Sequence, residues 1–423
     1  MMREHQGVDS KSRASSLPAV SERLVQSVWK MWEIGGHASI SARSLAQDAG
    51  IPISSLYNHF ESLDHVFLGA QVEALTQSRL WCAKQLEHLF DLTSENSGTL
   101  VANGLGSIMA ALIDEWTQGC RRLAFAWREG FLLARRDPRF MPHWQAWRDL
   151  WTTFWQTVCE HCGLGTYGEW TCFIFEAEAP LHMLPWRRTL DRACLEELCE
   201  GWAIWLDGHL ASEGPWRRKA REQAMASFPD LPIHDETTRR IAVAAADVVE
   251  NQGMPKLTHR AVAASAGVSL GMVSSRFRTS VDLVRAAFEA IYQRAAGPYL
   301  ELPLPDQSAR SIEQIMPQLT GEQMHAPDRL AFEELMLAVA RTPDLQSFAP
   351  QLRYLRGRTS GRILQRMASD AIAISPLDAA LFSDLLSGMQ RSVIHLSPQD
   401  RAGSGRQHIE RLIRLLNLPQ AEE

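Results

Sequence analysis

The chain of 423 residues contains no stretch of 18 or more uncharged apolar residues, so no membrane-spanning helix is expected. Its opening residues, MMREHQGVDSKSRASSLPAV, lack the apolar core of a secretion signal, and a cytoplasmic location is the resulting expectation. There is no GxSxG, no glycine-rich phosphate loop after a strand and no HExxH, so no enzyme is expected. Beyond residue 216 there is neither a tryptophan nor a cysteine. All seven cysteines, Cys82, Cys120, Cys159, Cys162, Cys172, Cys194 and Cys199, lie in the first half, and an odd number in an unsecreted chain does not describe a disulfide framework. Cys159 and Cys162, with His161 between them, read either as packed core thiols or as a redox or metal site. A lone CxxC without a second ligand pair favours packing, so neither metal nor cofactor is expected.

The formal net charge is −6, which argues against a nucleic-acid partner only until charge is taken locally. Between Met254 and Phe288 stand Lys256, Arg260, Arg276, Arg278 and Arg285 against Asp282 alone. Between His37 and Leu68 there is only Arg43 against Asp48, Glu61 and Asp64. Arg3, Lys11 and Arg13 in the polar tail ahead are available to offset that deficit, as basic arms can follow a groove.

What the chain does have is a repeat. Displaced by 217 residues, Ile40 to Phe60, ISARSLAQDAGIPISSLYNHF, lies on Leu257 to Phe277, LTHRAVAASAGVSLGMVSSRF, without a gap. Apolar positions match apolar positions, and Arg43, Ala46, Ala49, Gly50 and Phe60 recur as identical residues, which marks duplication of a whole unit. Ser41 and Thr258 predict helix N-caps, and Gly50 and Gly267 predict stops in the left-handed backbone conformation. A second short helix then begins beyond Pro52 and Ser269. Its positions 53, 56 and 60, or 270, 273 and 277, share a face and are expected to pack inward. Ser54, Ser55, Tyr57 and Asn58 are left pointing out. Two short helices about a glycine turn read as a helix-turn-helix, whose second helix fits a DNA major groove.

The run from Arg23 through Gly36, the SARSLAQDAGIPISSLYNHF stretch and the FESLDHVF that follows resemble the DNA-binding domain of TetR-family (TetR/AcrR-like) transcriptional regulators. The resemblance implies phosphate contacts from Tyr57 and His59 at the end of the recognition helix, and from Ser41 and Arg43 at the start of the preceding one. In the second copy Thr258 and Arg260 match the earlier pair, while Ser274 stands where tyrosine is usual and Arg276 where histidine is usual. From outward geometry, Ser54, Ser55 and Asn58 are the candidates for base edges in the first copy. Leu270, Met272 and Ser275 are their counterparts, better suited to thymine methyls and shape than to bidentate hydrogen bonds.

The rest of the chain reads as amphipathic helices. Breaks are expected at Asp137-Pro138, Gly163 to Gly168, Pro180 and Pro185. Trp147, Trp151 and Trp155 fall on one stripe. The bland reading is core or dimer surface; the functional one is a largely apolar cavity with Trp127, Phe131, Trp147 and Trp151 in its wall and Arg128 or Arg148 open to an anion. The stretch LAFEELMLAVARTPDL near residue 330 echoes LAFAWREGFLLARRDPRF near residue 123. The final helix, Gly405 to Leu416, corresponds in order to Leu195 through Leu206.

The expected fold is therefore all-α, two tandem TetR-like units packed as an intrachain pseudo-dimer. The boundaries are 1–17 for a disordered tail, 18–73 and 235–290 for two helix-turn-helix domains, 74–213 and 291–423 for two helical sensor and dimerisation domains, and 214–234 for a linker. The expected function is a ligand-responsive regulator, a repressor, holding a pseudo-palindromic double-stranded DNA operator and released by an apolar or aromatic small molecule. Two alternatives remain at this stage. In one, only one head reads DNA and the other is structural; in the other, the chain is a DNA-free sensor acting on a protein partner.

Overall fold

A computed structural model describes residues 19–93, 104–227, 235–300, 328–368, 372–393 and 397–418. The tail 1–17 with Arg3, Lys11 and Arg13, and the FPDLPIH run at 228–234, lie outside the described residues, as do 301–327 of the second sensor.

Among the described residues every regular element is helical. The first half comprises α1 (Ala19–Ile34), α2 (Ala42–Asp48), α3 (Ile53–His59), α4 (Leu63–Thr93), α5 (Leu105–Asp114), α6 (Arg121–Arg136), α7 (Met141–His161), α8 (Gly168–His182) and α9 (Arg188–Leu206). A connecting helix, α10 (Pro215–Ala226), leads to the second half. That half holds α11 (Glu236–Gln252), α12 (His259–Ala266), α13 (Leu270–Arg276), α14 (Ser280–Leu300), α15 (Asp328–Arg341), α16 (Ala349–Tyr354), α17 (Ser360–Met367), α18 (Pro376–Ser392) and α19 (Pro398–Leu415). No helix among the described residues is long and apolar enough to cross a membrane.

Local chemistry sets the short helices. Ser41 caps α2 in a reciprocal capping box with Ser44, and the Thr258 hydroxyl accepts from the Ala261 amide to cap α12. Gly50 and Gly267 then take φ of 65° and 62°, where any Cβ is strained. The amides of Ile51 and Val268 close back on the carbonyls of Ala46 and Ala263 at 3.0 and 3.1 Å, which stops both helices in the same way. Both halves then repeat one packing scheme: α1 lies on α4 and α6, and α11 on α14 and α15.

Two expectations are corrected. Ile53 and Leu270 do not pack inward: they are 46% and 45% exposed, and only Leu56 and Val273 are buried in α3 and α13. Each stands at the first helical position, where the side chain leans back toward the N-terminus and over the turn rather than onto the core. Pro180, expected to break the chain, lies inside α8. A proline there deprives the carbonyl four residues earlier, that of Glu176, of its helical donor. Arg391 Nη1 of the second half supplies one at 3.1 Å, so the helix continues because its partner repairs it.

The halves join along α8 and α18, with α6 against α15 above them. Gly388 of α18 sits so close to Phe173 of α8 that an added Cβ would stand 2.3 Å from the Phe173 carbonyl oxygen. Three polar ties complete the joint. Trp205 Nε1 donates to Asp378 at 2.7 Å, Tyr354 donates to Asp191 at 2.6 Å, and Trp170 Nε1 donates to His408 Nδ1 at 3.0 Å.

Candidate nucleic-acid interface

The residues singled out on α3 and α13 reach solvent. Ser54, Tyr57, Asn58 and His59 are exposed and Ser55 half-buried; Leu270, Met272, Ser274, Ser275 and Arg276 are exposed. Ile53, Tyr57, Leu270 and Met272 are among the few large apolar side chains left open on the described surface. Four such residues on two seven-residue helices are out of proportion for a surface with no contact to make. Ser41, Arg43, Thr258 and Arg260 are exposed beside them, although the two hydroxyls also serve the caps.

The two faces are not equally free. Arg276 bends back onto its own domain, donating to Thr238 Oγ1 at 3.2 Å with Asp235 Oδ2 at 3.7 Å. Lys256, Arg260 and Arg278 are exposed, and no ion pair ties them to a described residue. On the first face the acidic excess counted along the sequence is offset in part. Lys30 lies 2.6 Å from Asp48, and Arg139, in the turn between α6 and α7, lies 2.6 Å from Asp64 while also paired with Asp137 at 2.5 Å. Neither cation falls within the sequence window, which is why local counting missed them.

The turns ahead of α2 and α12, His37–Ser39 and Met254–Lys256, lie against one another, so the two three-helix units adjoin at corresponding points. Each turn hangs from a glutamate of its own half. Glu129 Oε2 accepts from the His37 amide at 3.1 Å and lies 2.5 Å from His37 Nδ1; Glu334 Oε2 accepts from the Met254 amide at 3.3 Å. Each glutamate is gripped by an arginine of the opposite half, Glu129 by Arg341 and Glu334 by Arg136. Gly36 and Gly253, at φ of 77° and 85°, leave room for the clasp: a Cβ on Gly36 would stand 2.8 Å from Arg341 Nη1. Burial favours the neutral form of Glu129, but the charges of Arg341 and His37 prevail and hold its carboxyl down to about 2.

Trp81, Trp116, Trp127, Trp147, Trp151 and Trp155 form one cluster with Phe154 and Phe175. Trp127, Trp147 and Trp151 are fully buried and Phe131 nearly so. Trp151 is the hub, with ring centroids 4.8 Å to Trp116, 5.7 Å to Trp127, 6.4 Å to Trp147 and 4.6 Å to Phe175. Trp147 Nε1 donates to Gln71 of α4 at 2.8 Å, and Gln71 donates to the Ala126 carbonyl at 2.8 Å, so the helix leading from the first head is stitched into this cluster. The indole N–H groups of Trp81, Trp116, Trp127, Trp144, Trp151 and Trp155 are buried without an acceptor among the described residues.

Of the two arginines offered to an anion, Arg128 is closed off and Arg148 is half-buried and already engaged. Arg128 is buried against Glu333 of the second half, Nη2 to Oε2 at 2.5 Å, and Arg148 donates to the Ser392 carbonyl at the end of α18. Glu333 is held down to about 2: burial opposes its charge, and Arg128 and Arg391 outweigh burial. Beside them the Glu176 carboxylate is buried with neither oxygen hydrogen-bonded, and burial pushes it up.

No model of a known protein family matches this chain, and no curated protein matches it.

Burial pushes the thiols of Cys159 and Cys162 up to about 12 and about 11, the opposite of an activated cysteine. No group of three or more potential metal ligands occurs among the described residues. Sequence reasoning passed over Glu129, Glu334, Arg136 and Arg341. Their only signal is that the pair seven residues apart, glutamate then arginine, occurs near the end of both α6 and α15.

Proposed function

We propose that this chain is a ligand-responsive DNA-binding transcriptional regulator, two TetR-like units fused in one polypeptide, acting as a repressor. In this reading α2–α3 and α12–α13 are helix-turn-helix heads, and α3 and α13 enter successive major grooves. The observation that carries it is the pair of identical glycine-stopped turns, each presenting a short helix with exposed apolar and hydroxyl side chains, in two units that adjoin at their corresponding turns. Such a pair suits a roughly two-fold site whose half-sites lie about 34 Å or another whole number of turns apart. Ser54, Ser55 and Asn58 then face base edges in one half-site, and Leu270, Met272 and Ser275 in the other. Ser41, Arg43, Tyr57, His59, Thr258 and Arg260 hold phosphates.

Release follows from geometry. The first head is tied to the tryptophan cluster through α4, so a molecule that enters the cluster and repacks it tilts α4 and changes the distance between α3 and α13. The aromatic character of the cluster favours a flat, largely apolar effector. The experiment is footprinting on DNA from upstream of the chain's own gene, with the wild type and with each head disabled in turn. Protection of two half-sites, lost at moderate salt, is the expected result. No protected site in any DNA tested would favour a sensor that acts on a protein partner instead.

A second reading, in which the second head grips backbone without reading sequence, is favoured by one observation: Arg276 is engaged with Asp235 and Thr238. A footprint that disappears from one half-site only when α3 is altered, and from neither when α13 is, would select it.

A further inference from the structure

One displacement along the chain, 205 residues, carries Glu129 onto Glu334 and Arg136 onto Arg341, the residues that play matching parts in the two clasps. The same displacement carries Arg128 onto Glu333. These two are equivalent positions of the two halves, and they face each other, 2.5 Å apart and buried. In a symmetric pair, a residue that faces its own equivalent meets an identical copy of itself. Here an arginine meets a glutamate.

The consequence is a restriction on pairing. Two first halves from separate chains, joined in this geometry, would bury Arg128 against Arg128. Two second halves would bury Glu333 against Glu333, each with Arg391 behind it. Either like pair would forfeit the direct Arg128–Glu333 bond and bring two equal buried charges together, so a first half with a second half is the pairing that satisfies the site. Shape restricts the first half independently. The close approach of α8 and α18 requires Gly388, and α8 has no glycine after Gly168 to offer in its place; two copies of α8 would meet with side chains on both sides.

We propose that the two halves are coded for one another by the Arg128–Glu333 pair and the Gly388–Phe173 crossing, so that the working unit is a single chain and self-pairing between chains through this face is excluded. The claim that one chain then covers one operator rests on the proposed DNA-binding function; the pairing itself does not.

The test needs no DNA, so its failure leaves operator binding untouched. The wild type should sediment as one chain of 47.5 kDa across the micromolar range. Arg128→Glu and Glu333→Arg, made singly, should each lower the melting temperature by several degrees or abolish folding. The double exchange should be more stable than either single variant, though short of the wild type because Arg391 then lies beside a second cation, and should sediment as one chain. Purified Arg128→Glu and Glu333→Arg, unfolded together and refolded as a mixture, should yield a species of twice the mass, since each first half then matches the second half of the other chain. A wild type that dimerises in this range, single variants as stable as the wild type, or a double exchange no better than the worse single variant would each overturn the proposal.

Discussion

Arg341 Nε donates to the carbonyl oxygen of Trp32 at 2.8 Å, across 309 residues of sequence. Trp32 lies near the end of the first helix of the first head, and Arg341 ends α15 of the opposite half. The reverse crossing is made by Arg136, which reaches the Glu250 carbonyl at 3.4 Å near the end of α11. Each head is thus held by its own sensor's glutamate and by the other sensor's arginine.

From these crossings follows a reciprocal pattern of loosening. Arg341→Ala leaves Glu129 buried beside His37 without its strongest partner, a loss of roughly 3–5 kcal/mol for breaking a buried pair. Amide hydrogen exchange should speed up in residues 37–60 more than in 254–277. Arg136→Ala should do the opposite, more weakly, because the Arg136 side chain is partly exposed. Equal effects on both heads from either variant would show that the clasps do not act locally.

The acid limb of stability should report Glu129 and Glu333. Both carboxyls are held near 2, below their ordinary value of 4.5, so their stabilisation is complete above 4.5 and is lost as pH falls from there through 2. At pH 6 Glu333→Gln should be less stable than the wild type by about 3 kcal/mol, the size of that shift. Near pH 2 the two should converge. Denaturant unfolding at several pH values measures both ends, and a constant difference would contradict the linkage.

A second pair of carboxyls works in the other direction. Glu178 of α8 and Asp384 of α18 are both buried at the joint between the halves, and Glu178 is pushed up to about 7, by burial first and by Asp384 next. A folded value above the ordinary 4.5 means stability is greatest below 4.5 and declines as pH rises to 7. Glu178→Gln keeps the shape and removes the titration. Its melting temperature should exceed that of the wild type by several degrees at pH 8, the difference shrinking toward pH 5. A gap that grows on acidification would refute the assignment.

The glycine stops should cost backbone strain alone. Nothing lies within 4 Å of a Cβ built on Gly50 or Gly267, so Gly50→Ala and Gly267→Ala meet no clash, only the left-handed φ. Each should destabilise by about 1 kcal/mol. Calorimetry checks this, and a loss several times larger would mean that the turns carry contacts beyond those described.

Binding to DNA should weaken unequally. Tyr57 is 52% exposed, whereas Arg276 is engaged with Asp235 and Thr238. Tyr57→Ala is expected to weaken operator binding by roughly tenfold and Arg276→Ala by less, as suits one lost contact against one already committed elsewhere. Titrations at two salt concentrations measure both, and equal losses would argue that Arg276 turns outward on the duplex.

Much of this was readable from residue order, and the reason is range. The capping hydroxyls of Ser41 and Thr258 and the left-handed Gly50 and Gly267 act within four or five residues, so the sequence alone determined that two equal turns exist and where they stop. It also marked the outward residues of α3 and α13 apart from Ile53; Leu270 stood both on the inward stripe and among the outward candidates, and its first-turn position decides for solvent. What only the tertiary structure decided are the relationships across some two hundred residues. Arg128 reads as an open cation until Glu333 faces it, and Pro180 reads as a helix break until Arg391 supplies the missing donor. Asp48 reads as an unpaired acid of the first face until Lys30 folds onto it. Charge and hydrogen-bond partners are chosen by proximity in space, and proximity between distant segments is settled by packing.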